Sequence, residues 1–144
     1  MTIAPAAAAP KPLPKLDGPE RPFWEGLRER VVRVQRCDAG HCRFPASGSC
    51  PVCHSRHFSW EAVVPEGEVE SFCVFHKPYF KGFAAEIPYA VVQVRLACGV
   101  RLFSNLVGVA NEDIRIGMKV AASFEDVSPE VTLLKFRPQE GSLA

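Results

Sequence analysis

No run of apolar residues in this chain approaches the roughly 20 that a membrane-spanning helix needs, so no membrane span is predicted. Neither sign of charge is in excess: 17 Lys and Arg stand against 16 Asp and Glu, a formal net charge of +1. A field that weak argues against a DNA-binding or anionic-membrane surface. The opening stretch, MTIAPAAAAPKPLPKLDGP, lacks the cationic start and Leu/Val-rich centre of a secretory leader. The expected setting is therefore cytoplasmic, where paired thiols serve as metal ligands rather than disulfides. That stretch is instead rich in Pro and Ala, which predicts an extended, disordered tail over residues 1–20. The 144 residues leave room for one small module and one modest domain.

Cysteine, by contrast, is plentiful and patterned. Cys37 and Cys42 bracket C-D-A-G-H-C, Cys50 and Cys53 bracket C-P-V-C, and the turn-rich stretch RFPASGS separates the pairs. Two such knuckles on a small hairpin can place four thiolates at the corners of a tetrahedron, the geometry of structural zinc. The second pair has the two-residue spacing that fits one metal, while the first has four intervening residues. Before the knuckles, RPFWEGLRER (Arg21 to Arg30) reads as a short amphipathic helix with Pro22 near its start and Phe23, Trp24 and Leu27 on one side. VVRVQR (Val31 to Arg36) and HFSWEAV (His57 to Val63) read as the strands of a ribbon. This unit, residues 21–64, is too small to hold a core unaided, so metal would supply on the order of 10 kcal/mol of its folding free energy.

Pro65 and Gly67 mark the start of a second unit, residues 65–138, followed by a short C-terminal tail, 139–144. Five strand-like runs follow: Glu68 to His76, Tyr89 to Ala97, Val100 to Val107, Lys119 to Glu125 and Val131 to Phe136. Cys98-Gly99 reads as a two-residue hairpin turn. Alternation puts Val92, Val94 and Leu96 on one face, with Val100, Leu102, Leu106, Val120, Ala122 and Phe124 continuing it. NEDIRIG supplies a helical turn between the third and fourth runs. The fold predicted is mainly β: a short helix and rubredoxin-like zinc ribbon followed by a five-stranded OB-type barrel.

The order FWEGL, QRC, RFP, CPVC, Trp60, GEVESFCVFH, IPYAVVQV, GVRLFSNL, IRIGMKVAASFED and FRP resembles one family over about Pro22 to Pro138. This is the family of acyl-CoA-associated zinc-ribbon/OB-fold accessory proteins that partner thiolase-superfamily enzymes. The resemblance implies a non-catalytic subunit that binds a thiolase or thiolase-like aldolase and supports its stability, active-site shape or substrate channelling. It also implies acyl-CoA contact only through the complex, and two copies of this chain per partner dimer. By position, the family's metal ligands are Cys37, Cys50 and Cys53 plus one more. The family's first knuckle usually reads C-x-x-C-G, which places the fourth ligand at Gly40, a residue with no side chain to offer. Cys42 is the first substitute; a ribbon that has lost its metal comes next, and His41 ranks below both. A rubredoxin-like iron would use the same sulfurs, but no redox partner is suggested.

The remaining chemistry-bearing residues point to binding rather than catalysis. Cys73, inside a strand, is expected to be a buried apolar thiol. Cys98 is expected as a tolerated turn residue, and His76 falls on the opposite strand face from Cys73. HKPYFKGFAAEIPY (His76 to Tyr89) carries Tyr79, Phe80 and Phe83 beside Lys77 and Lys81. These rings either plug one end of the barrel or form a partner-binding edge. Phe23, Trp24 and Leu27 pose the same choice. A single-stranded nucleic-acid-binding module is the alternative function, because OB barrels with aromatic and basic loops stack bases. The even charge balance counts against it.

Overall fold

The computed structural model of the protein describes residues 11–139; the ends of both expected tails, 1–10 and 140–144, lie outside the described residues. Pro22 sits in the first helical turn, where its missing amide costs no hydrogen bond, and Phe23 and Leu27 fall one turn apart. They form α1, Arg21–Arg28. The helix stops short of the expected Arg30, which takes a positive φ of 64° and turns the chain into the first strand. The β-branched alternation of VRVQRC then gives β1, Val32–Cys37. With β2, Cys42–Arg43, and β3, Phe58–Val63, it forms an antiparallel ribbon in the order β2-β1-β3.

The second sheet comprises β4, Glu66–Phe75; β5, Tyr89–Leu96; β6, Arg101–Asn105; β7, Lys119–Asp126; and β8, Thr132–Pro138. Its order is β6-β5-β4-β7-β8. The two outer strands meet through a parallel bridge between Leu106 and Phe136. Val107 N donates to Phe136 O at 2.8 Å and Ser104 Oγ to Leu134 O at 2.7 Å. The result is the expected five-stranded, nearly closed OB barrel. The NEDIRIG turn appears as a short 3-10 helix over Asn111–Asp113.

Two local expectations differ. The β5–β6 hairpin has a three-residue loop, Ala97-Cys98-Gly99, because Leu96 N donates to Val100 O at 2.8 Å and Gly99 N to Leu96 O at 2.9 Å. Gly99 sits at φ +92°, the left-handed residue that this loop class requires. Cys73 is exposed rather than buried. A register shift between Val69 and Ser71 breaks the alternation of β4, and β7 pairs with β4 only over Glu66–Glu68, so Cys73 lies on a stretch with one open edge.

The two modules share one core. Phe23, Leu27, Val32 and Val34 from the helix and ribbon pack in the same cluster as Val69, Val92, Val94, Leu102, Val120 and Phe136 of the barrel. Leu27, Val34, Val92, Val94, Val120 and Phe136 are wholly buried. No helix among the described residues is long and apolar enough to cross a membrane.

Candidate functional site

The first knuckle is built by its glycine. Gly40 adopts φ +92°, its amide donates to Cys37 O at 2.9 Å, and Cys37 N donates to His41 O at 2.9 Å. This is the same three-residue loop as at 97–99, and it sets His41 directly opposite Cys37, so both side chains leave on one face. Cys42 then pairs with Arg36, one position along, which turns its side chain to the other face, where it meets the Cys98 thiol of the barrel hairpin. Cys42, the first choice for the fourth ligand, therefore stands outside the cluster, and His41 stands in it. The second knuckle folds through His54, at φ 64° with its amide on Cys50 O at 2.9 Å.

The ligand atoms of Cys37, His41, Cys50 and Cys53 all lie within 4.8 Å of one another. Cys37 Sγ is 3.8 Å from Cys53 Sγ, and His41 Nδ1 is 3.4 Å from Cys37 Sγ and 3.6 Å from Cys50 Sγ. A tetrahedron with Zn–S of about 2.3 Å and Zn–N of about 2.05 Å has edges of roughly 3.8 Å between sulfurs and roughly 3.5 Å between sulfur and nitrogen. These three contacts match those edges, so the donor set fits structural zinc with four protein ligands.

Backbone amides prepare the sulfurs for metal. His41 N points at Cys37 Sγ at 3.3 Å and Val52 N at Cys50 Sγ at 3.4 Å. Desolvation opposes ionisation of Cys37, but the amides of His41 and Ala39, with Cys53 and His41, outweigh it and hold its pKa below the ordinary thiol value. The Cys53 amide, against desolvation and with help from Val52, brings Cys50 down to about 6. At Cys53 the Ser55 amide pulls downward, yet desolvation and the neighbouring Cys50 and Cys37 sulfurs win and the pKa rises. The Cys37 sulfur, against desolvation, raises His41, with Cys50 adding to the effect.

The aromatic candidates separate by exposure. Phe23 is 5% exposed and Leu27 0%, so both are core rather than surface. Trp24 is half-buried, edge-on to Phe23 at 5.2 Å. In the segment between β4 and β5, Phe83 folds back on Tyr89 at 5.7 Å, and Tyr89 stacks on Phe75 at 5.3 Å. Phe75 in turn meets Tyr79 at 5.8 Å, and Phe83 meets Phe80 at 6.3 Å. Tyr79 and Phe80 remain 67% and 57% exposed at the two ends of this ladder. Lys77 lies over Tyr79. Lys11, from the stretch expected to be disordered, lies over Phe83 and pairs with Glu86 at 2.6 Å.

Comparison with known proteins agrees with this architecture. Residues 24–59 match "ChsH2, rubredoxin-like zinc ribbon domain", and residues 60–125 match "ChsH2, C-terminal OB-fold domain". A "DUF35 domain-containing scaffold protein" of Pyrococcus furiosus is 30% identical over 99 residues, covering 68% of this chain and 72% of its own length. The chain belongs to the ChsH2 (DUF35) family. The resemblance read from the sequence is thereby borne out. Among solved structures, the family member in the "Ltp2-ChsH2(DUF35) aldolase" is 36% identical with a TM-score of 0.78, and the match covers 88% of this chain and 98% of that one. A "Probable enoyl-CoA hydratase alpha subunit" of Thermomonospora curvata is 40% identical over 138 residues, 93% of this chain. The chain spans only about two fifths of that relative, 41% of its length.

Proposed function

We propose that this chain is a non-catalytic, cytoplasmic accessory subunit of a thiolase-superfamily enzyme acting on acyl-CoA. The partner supplies the nucleophile and the acid–base groups. This chain supplies a rigid surface that shapes the partner's active site, steadies it or guides its intermediate, with two copies per partner dimer. The observation that carries the reading is the aromatic ladder. Tyr79 and Phe80 are exposed, yet each is backed by a ring fixed to the barrel, Phe75 or Phe83. Large apolar side chains held rigid and ringed by polar groups are the anchors on which interfaces depend. Support also comes from the relatives, one found in an aldolase with Ltp2 and others named as hydratase subunits or scaffolds. The zinc, held by Cys37, His41, Cys50 and Cys53, would stiffen the ribbon and perform no step in the reaction.

The test is affinity purification of the full chain from its own cells, wild type beside a Tyr79→Ala/Phe80→Ala variant, with mass spectrometry of what co-elutes. A near-stoichiometric thiolase-superfamily protein is expected with the wild type. Loss of two anchor rings, at about 2 kcal/mol for each such residue, should weaken capture by roughly 700-fold. Recovery of RNA- or DNA-handling proteins instead would sink the proposal.

A further inference from the structure

Arg43, on the short strand β2 of the ribbon, is buried, 5% exposed. Its Nε donates to Gln35 Oε1 at 2.7 Å and its Nη2 to Ser47 O at 2.7 Å, while the guanidinium lies 4.7 Å from the Phe58 ring centre. Its Nη1 is buried with no hydrogen-bond partner among the described residues. All the acceptors are neutral, and no carboxylate among the described residues pairs with it. A guanidinium keeps its charge in any protein setting, so its burial is costly and a negative charge close by would offset that cost.

The ribbon register places Arg43 on the face that carries the cysteine cluster. Arg43 pairs with Gln35, and Cys37 lies two positions along the same strand, so all three side chains leave the same face of the ribbon. Phe58, which the guanidinium covers, pairs with Cys37 itself. Zinc bound by three thiolates and a neutral imidazole carries one net negative charge. We propose that Arg43 is a positioning residue of the metal centre, the buried countercharge that makes an anionic Zn(Cys)3(His) site tolerable in this ribbon. The inference rests on the zinc reading of the cluster. Gln35 completes it by accepting from both Arg43 and the Ser47 amide, at 2.8 Å, which ties the charge to the loop leading into Cys50.

The test measures the zinc affinity of the full chain by competition with a chromophoric chelator, with the absorption of the Co2+-loaded protein as a reporter of ligand geometry. Arg43→Met should weaken zinc binding by about tenfold, the low end of the effect of residues that support metal ligands. Arg43→Lys, which keeps the charge and loses the planar fork, should stay close to wild type. Because Arg43→Met can fail to fold, Gln35→Glu provides a second measurement. It keeps both hydrogen bonds but hands the guanidinium a carboxylate of its own, and should also lose about tenfold with unchanged Co2+ bands. Zinc affinity in Gln35→Glu equal to wild type, or Arg43→Lys as weak as Arg43→Met, would overturn the countercharge and leave Arg43 a hydrogen-bonding brace. A wild-type chain that takes up no zinc overturns the metal centre itself, a separate failure.

Discussion

His41 and Cys42 are neighbours in sequence and opposites in direction, and one glycine decides which of them faces the metal. Because Gly40 closes a three-residue loop in the left-handed region, residue 41 returns opposite Cys37 and residue 42 turns to the barrel. Replacing His41 by Ala should remove one of four ligands and lower zinc affinity by at least an order of magnitude, since losing a residue that only supports a ligand already costs about tenfold or more. Replacing Cys42 by Ser should leave one zinc per chain. Metal content after gel filtration, read by plasma mass spectrometry, separates the two, and a zinc-free Cys42→Ser protein would contradict the geometry. The sequence carries only half of this signal: Gly40 suits both a three-residue loop that returns His41 opposite Cys37 and a two-residue turn that would not. Cysteine count outweighed it, because sulfur chemistry is legible in a sequence while side-chain direction depends on one φ angle. Cys73 misled in the same way, since the register shift that exposes it leaves no mark in composition.

At the scale of elements, a half-exposed ion pair with unusually good geometry links the end of the helix to the barrel. Arg30 donates to both carboxylate oxygens of Asp126, at 2.9 and 2.8 Å, and Thr132 Oγ1 donates to Asp126 Oδ1 at 2.6 Å. Arg30 first and Thr132 second hold the Asp126 carboxyl well below its usual pKa. A folded pKa below the unfolded one means stability that is present above the unfolded value, about 3.9, and lost as pH falls through the folded value. Acid titration of the thermal midpoint should therefore fall below pH ~4 in the wild type and be visibly flatter in Asp126→Asn; parallel curves would remove Asp126 from the account. A second joint tolerates no side chain. A Cβ on Gly67 would sit 2.3 Å from the Arg95 carbonyl oxygen across the β4–β5 pair. Gly67→Ala should cost about 1–3 kcal/mol through forced backbone shift, measured by urea denaturation, and an unchanged midpoint would show that the strands part easily. The strands themselves were legible from alternation, with most ends within a residue or two of expectation. The loop of the β5–β6 hairpin was not, since Gly at its end suits a two-residue and a three-residue turn equally.

Over the whole molecule the ribbon and barrel are two motifs but one core, and this determines what metal removal should do. Phe23, Leu27, Val32 and Val34 are at most 5% exposed and pack with Val69, Val92 and Val120 of the barrel. At 1.5–3 kcal/mol for each fully buried side chain, those four contribute roughly 6–12 kcal/mol as an upper bound. That is the size of the entire net stability of a domain, about 5–15 kcal/mol. A barrel stripped of them by an unfolded ribbon should not survive alone. Chelation should therefore destabilise the whole chain, which then unfolds in one cooperative step, rather than leave a folded barrel beside a loose ribbon. The two tryptophans, Trp24 and Trp60, lie on the helix and ribbon side, while the barrel dominates the β signal. Tryptophan fluorescence and far-UV circular dichroism should consequently give coincident thermal transitions with metal and, at a lower midpoint, without it. Fluorescence lost on chelation while the β signal persists to high temperature would mean that the barrel stands by itself and the shared core is dispensable.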